Sequence, residues 1–232
     1  MRLALTAALL LLGVSRANAE PPRPVVVELF TSQGCSSCPP ADALLTELAR
    51  NPNILPLAFH VTYWNNLGWR DPFSLEAATD RQRAYQRSLH TDTIYTPQMV
   101  IEGQADIVGS DRASVATAIA HATISDPAKL TTKTSAQGLQ VDIGAGQGEA
   151  RILLIGYDSQ HKTSVARGEN AGQNLSETNI VRSLVVLGNW KGQAISLSSP
   201  APTSERAAVL LQAPNGHILG AAIVAKPPGV SG

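Results

Sequence analysis

Cysteine is nearly absent from this 232-residue chain: Cys35 and Cys38 are the only two. That count excludes a framework of several disulfides, and a four-cysteine structural zinc site would need twice as many. Aromatic residues make up only 4%, and 18 Lys and Arg are matched by 18 Asp and Glu, so the formal net charge is zero. With neither a basic stripe nor a stacking platform, no nucleic-acid partner is expected. After the apolar run at residues 3–14, no stretch approaches the ~20 apolar residues of a spanning helix, so no stable membrane span is expected either.

The N-terminus reads as a targeting segment. Arg2 precedes the apolar run, and Ala17-Asn18-Ala19 fits a small-x-small cleavage pattern. A signal peptide at 1–19, cut after Ala19, makes the protein periplasmic or secreted. Its removal takes away Arg2 and Arg16 from the 18 basic residues and none of the 18 acidic ones, which leaves a net charge of −2. In such a compartment a cysteine pair persists as a disulfide.

Residues 24–30 (PVVVELF) are apolar and β-branched enough for a strand buried on both faces. A helical stripe follows at Ala41, Leu44, Leu45, Leu48 and Ala49, and residues 54–61 read as a second strand. Ser74 is placed to cap a helix running to Leu89, residues 98–101 and 105–108 to form a hairpin, and Asp111 to cap a last helix. The order is β-α-β-α-β-β-α. Beyond Ser125-Asp126-Pro127 the pattern changes to short alternating runs at 130–134, 139–143, 151–157, 178–187, 194–197, 207–212 and 217–224. Evenly spaced short strands point to an all-β, sandwich-like domain. The division expected is therefore an α/β domain at 22–126 and a β-sandwich domain at 127–227.

The chemistry is sought in FTSQGCSSCPPA, where a strand runs into Cys35-Ser-Ser-Cys38 and a helix begins. Two thiols at this spacing close and reopen a small disulfide ring, and a helix N-terminus stabilises a thiolate there. Cys35, nearer the loop, is the expected nucleophile and Cys38 the resolving thiol. An inert bridge and a metal site remain alternatives. His60, at the end of the second strand, is a candidate third ligand with Cys35 and Cys38 for Cu(I), which soft thiolates select.

Strand, Cys-x-x-Cys, helix, strand, helix, then a proline before a hairpin and a last helix resembles the thioredoxin superfamily. More narrowly, CSSCPPAD, FHVTYWNNLGW, RQRAY and YTPQMVIEG resemble an exported thioredoxin-like family with no assigned function. The resemblance implies a cis peptide at Thr96–Pro97, facing the cysteines and presenting backbone to an extended substrate. It also implies a buried acid in the first strand that shuttles a proton to the resolving cysteine, and Glu28 is the match if one residue is inserted in the loop; an outward-facing glutamate held by an arginine is the alternative. This chain departs from the family in having Thr62 and Asn65 where aspartates are usual.

The expected activity is thiol–disulfide exchange with protein or small-molecule thiols, or with a redox partner protein, and it requires no organic cofactor. A periplasmic copper carrier and a binding scaffold with a vestigial redox site are the alternatives. Arg167-Gly168-Glu169-Asn170 with Asn174, Asn179 and Arg182, a polar cluster between strands of the second half, is a candidate for docking the two halves together or for binding a partner.

Overall fold

This computed structural model describes residues 23–225, so the expected signal peptide at 1–19 lies outside the described residues. Strand β1 (Val25–Thr31) is buried along its whole length. It pairs in parallel with β2 (Ile54–His60) and antiparallel with β3 (Gln98–Ile101). With helices over both faces, both must be apolar, and this is why VVVELF does not alternate. Val25, Val27 and Leu29 meet Ala41, Leu44, Leu45 and Val115 from α1 (Pro39–Leu48) and α3 (Arg112–Ala120). Val26 and Phe30 point the other way, onto Ala78 and Tyr85 of α2 (Glu76–Ser88). Strand β4 (Ala105–Val108) pairs with β3 at the sheet edge.

Helix termini follow local chemistry, with one exception. Pro39 and Pro40 occupy the first turn of α1, where a missing N–H costs nothing, and Cys38 caps the helix in a right-handed conformation (φ −79°, ψ −37°). Asp111 caps α3 by accepting the Ser114 N–H at 3.1 Å. Ser74 does not cap α2. Its hydroxyl donates to the Asp71 carbonyl and accepts from Asn65, so Leu75 stands at the cap without a side-chain bond.

The second half contributes β5 (Leu130–Ser135), β6 (Gly138–Ile143), β7 (Ala150–Ser164), β8 (Asn174–Trp190), β9 (Ile195–Ser199), β10 (Arg206–Gln212) and β11 (Ile218–Val224). Four of these strands continue the first sheet, giving the order β11-β10-β7-β8-β2-β1-β3-β4. The join is parallel, with Ala58 opposite Ile180 and the Asn179 amide donating to the Pro56 carbonyl at 2.8 Å. The three remaining strands form a separate sheet, β5-β6-β9. Leu139, Val141 and Ile143 of that sheet pack against Ile152, Leu154, Val209 and Leu211 of the large one, around the buried Trp190. The described residues thus form an α/β fold with one large mixed sheet and three helices. The composition shift near residue 126 falls between α3 and β5, but the main sheet runs straight across it.

Strands β7 and β8 are longer than expected. Residues 158–164 and 174–177 add a polar extension, and its tip, 165–173, reaches back to the cysteine loop. The hydrophobic pattern stops where the hairpin leaves the core, so the strand signal stops before the strand does.

Candidate functional site

Cys35 and Cys38 form a disulfide at the N-terminus of α1, and neither has any exposed surface. Only Ser36 and Ser37 between them are exposed. The Thr96–Pro97 peptide is cis and lies beside the pair: Ser37 Oγ donates to the Thr96 carbonyl at 3.5 Å and also sits 3.3 Å from Cys35 Sγ. Trp64 Nε1 holds the Thr96 hydroxyl at 2.8 Å.

A cap comes from the tip of the β7–β8 hairpin. The Asn170 amide donates to both the Gln33 and Cys35 carbonyls at 2.9 Å, and the Glu169 carboxylate accepts the Ser36 N–H at 3.0 Å. Gly168 packs against Trp69 and Gly68 of the loop after β2, so three loops close over the sulfurs.

Beneath the disulfide lies a buried charged set drawn from four segments: Asp42 of α1, His60 of β2, Asp71 of the following loop, and Glu177 of β8. His60 Nδ1 is 2.7 Å from Asp71, and His60 Nε2 faces Glu177 at 3.8 Å. Gln33 ties the set to the cysteine loop: its backbone N–H donates to Asp71 at 2.8 Å and its side-chain Nε2 to Glu177 at 2.6 Å, while Trp69 Nε1 donates to its side-chain Oε1.

Burial would push the His60 imidazole down, but Asp71, then Glu177 and Asp42, outweigh it and raise its pKa to about 9. Burial raises Asp42 to about 7, helped by repulsion from Glu177 and opposed by His60 and the Thr31 hydroxyl. Burial also raises Glu177. For Asp71 the burial penalty is overcome by His60 and by the Gln33 and Phe73 N–H groups, and its pKa is lowered. The set can therefore hold an imidazolium, an ionised Asp71 and a proton on Asp42 or Glu177 near neutral pH. Asp42 lies one helical turn beyond Cys38, with its N–H on the Cys38 carbonyl at 3.1 Å, which puts the acid on the cysteine's face of α1.

A protein-family profile described as "Protein of unknown function (DUF1223)" matches residues 26–212, most of the chain. The chain belongs to this family. No curated protein matches it. Among solved structures, a protein of Agrobacterium tumefaciens, AGR_C_4864, is similar over 92% of this chain and 99% of its own, at 29% identity and a TM-score of 0.79. HBP35 of Porphyromonas gingivalis shares the fold at 13% identity, with a TM-score of 0.57, over 91% of this chain and 79% of its own.

In this DUF1223 protein the sequence candidates separate. Cys35, Cys38, Thr96 and Pro97 are brought together. Glu28 is not among them and is corrected here: it sits on the α2 side of β1, turned away from α1, and bonds Arg81 at 2.6 Å. An acid at that register cannot face α1, because neighbouring strand residues point to opposite faces. Asp42 is the buried acid on the cysteines' side. His60 lies between two carboxylates rather than beside the sulfurs, and among the described residues no set of three or more His, Cys, Asp or Glu is arranged to hold a metal ion.

Sequence reasoning missed Gln33, Asp42, Asp71 and Glu177, of which Asp42 alone left a signal, as a carboxylate one turn beyond Cys38. In the Arg167–Asn170 cluster expected to dock the two halves, Glu169 and Asn170 bond the cysteine loop. The described residues contain no helix long and apolar enough to cross a membrane.

Proposed function

We propose that this protein is an exported, thioredoxin-like thiol–disulfide oxidoreductase in which Cys35 and Cys38 form the redox couple. The observation that carries this reading is the disulfide at the N-terminus of α1, flanked by the cis Thr96–Pro97 peptide and backed by the buried Asp42. In the direction that reduces the protein, a substrate thiolate attacks Cys35 Sγ and a mixed disulfide forms as the Cys35–Cys38 bond breaks. Cys38 leaves as a thiolate that takes the proton of Asp42. A second substrate thiolate then attacks the substrate sulfur of the mixed disulfide, releasing the substrate disulfide and Cys35 as a thiolate. In the oxidising direction the steps reverse: Cys38, deprotonated by Asp42, attacks the mixed disulfide and releases the substrate thiolate. Two substrate thiols become one disulfide as Cys35–Cys38 becomes a dithiol, so electrons and protons balance. The helix N-terminus favours the thiolate at Cys35.

One observation favours a second reading. Both sulfurs are wholly covered, as in an inert structural bridge. The equilibrium reduction potential in glutathione or dithiothreitol buffers separates the two. A value between about −120 and −270 mV supports exchange, and one well below about −300 mV supports the structural bridge. Under the exchange reading, Cys35→Ser abolishes turnover with a mixed-disulfide substrate and leaves the fold intact.

A further inference from the structure

Arg81, held by the buried Glu28 and left aside by the thiol chemistry, lines a separate cavity. This space of about 440 Å³ lies between α2, strands β7 and β8, and the turn after β10. Small-molecule sites commonly measure about 300–1,000 Å³. Ala77, Ala84, Leu153, Leu184 and Pro214 give it apolar walls.

Its charged groups are mostly cationic. Arg81 is nine-tenths buried and commits four of its five N–H donors inside the protein: Nε to Glu28, Nη2 to Glu28 and to the Tyr85 hydroxyl, and one Nη1 hydrogen to Gln212. The second Nη1 hydrogen has no acceptor among the described residues. Gln212 is itself fixed, donating to Tyr85 and to the Gly216 carbonyl. Arg87 and Arg151 also line the cavity, both exposed. Neither has a carboxylate partner among the described residues, and Arg151 reaches only the Gln212 amide oxygen at 3.3 Å. Asp80, the one acid in the wall, is held by Arg83 at 3.2 Å.

We propose that this cavity binds a small organic anion, a carboxylate with an apolar body, through Arg87, Arg151 and the uncommitted donor of Arg81. With Asp80 taken by Arg83, three arginines face Glu28 alone, and the positive excess suits an anion. The apolar walls favour an organic anion over an inorganic one, which would leave them wet. Glu28 then has a reason to occupy an apolar strand: it fixes the guanidinium fork of Arg81, so little ordering remains when a carboxylate arrives.

Isothermal titration calorimetry of the protein without its signal segment tests this, using octanoate as the anion and octanamide as its neutral counterpart. Octanoate is expected to bind at one site per chain and octanamide at least tenfold more weakly. The surface double variant Arg87→Ala/Arg151→Ala should weaken octanoate at least tenfold. Ala84→Trp, which fills the cavity from half-exposed helix surface, should abolish binding with the helical circular dichroism unchanged. No saturable octanoate binding, equal binding of octanamide, or unchanged affinity in the double variant would overturn the site. Both outcomes are independent of the cysteine chemistry, whose potential is read separately.

Discussion

Asn170 binds the carbonyl of Cys35 across 135 residues of sequence, from the tip of a hairpin whose strands belong to the second half of the chain. The same amide holds the Gln33 carbonyl, so a single side chain from the cap fixes the approach to the disulfide. The second half therefore builds the site as well as the sheet: Asn170 closes it from above, and Glu177 charges it from below.

Asn170→Ala removes two buried hydrogen bonds at the cap and leaves the Gln33 carbonyl without a donor, while the Cys35 carbonyl keeps the Cys38 N–H at 3.2 Å. The expected cost is about 1–3 kcal/mol of stability. Reduction of Cys35–Cys38 by excess dithiothreitol should accelerate roughly tenfold, a factor equivalent to about 1.4 kcal/mol. Stopped-flow tryptophan fluorescence with alkylation end-points checks the rate, and an unchanged rate would show that attack does not require the cap to move.

Buried Asp42 and His60 make stability fall as pH rises, while Asp71, held below its ordinary value, acts in the opposite sense only near and below about 3.9. Asp42 ionises near 7 in the folded protein and near about 3.9 when unfolded. The folded state thus holds an extra proton between these values and loses stability as pH climbs through them, by a few kcal/mol at order of magnitude. His60 titrates near 9 when folded and near about 6.5 when unfolded. Its contribution is complete below the lower value and is lost as pH rises through the higher one. Urea denaturation between pH 4 and 9.5 should show a continuous decline, and Asp42→Asn should flatten only the part below about pH 7. A decline of equal slope in that variant would place the proton elsewhere.

Much of the first half was legible because its signals are local. The β1 run, the α1 stripe, the Asp111 cap and the β3–β4 hairpin each lie in a few consecutive residues with the expected period. The joining of β8 to β2 was not, since it rests on a single parallel pairing and one side-chain bond from Asn179, neither of which leaves a period in the sequence. The site divides in the same way. Cys35, Cys38, Thr96 and Pro97 lie in recognisable strings, whereas Asp71 and Glu177 gain their meaning only from what the fold sets beside them. Glu28 admits two readings in the sequence, a proton shuttle or a glutamate held by an arginine, because a buried strand is apolar on both faces and the pattern does not say which face an acid takes; the structure shows the second.

Glu28→Gln should therefore injure the fold and spare the Cys35–Cys38 disulfide. It leaves Arg81 charged, buried and without its carboxylate, at a cost of about 3–5 kcal/mol. Arg81→Met in the same chain should restore part of the loss, because replacing both partners of a buried ion pair is far milder than removing one. Urea denaturation measures the first effect. The reduction potential of Cys35–Cys38 should stay within error of wild type, and a shift in it would return Glu28 to the disulfide's proton chemistry.

Glycine at 168 is required by two separate constraints, and they can be pulled apart. Its φ of +79° disfavours any side chain, and an added Cβ would sit 3.0 Å from Trp69 Cβ, where the cap docks on the loop after β2. Gly172, in the same cap, has φ +81° but nothing within 4 Å of an added Cβ. Alanine at either position pays the left-handed backbone cost of about 1–2 kcal/mol. Only Gly168→Ala also pushes the cap off Trp69, so only that variant should speed reduction of the disulfide by dithiothreitol. Equal acceleration in both would mean that the cap opens by fraying of the hairpin tip itself, with the dock on Trp69 playing no part in access to the sulfurs.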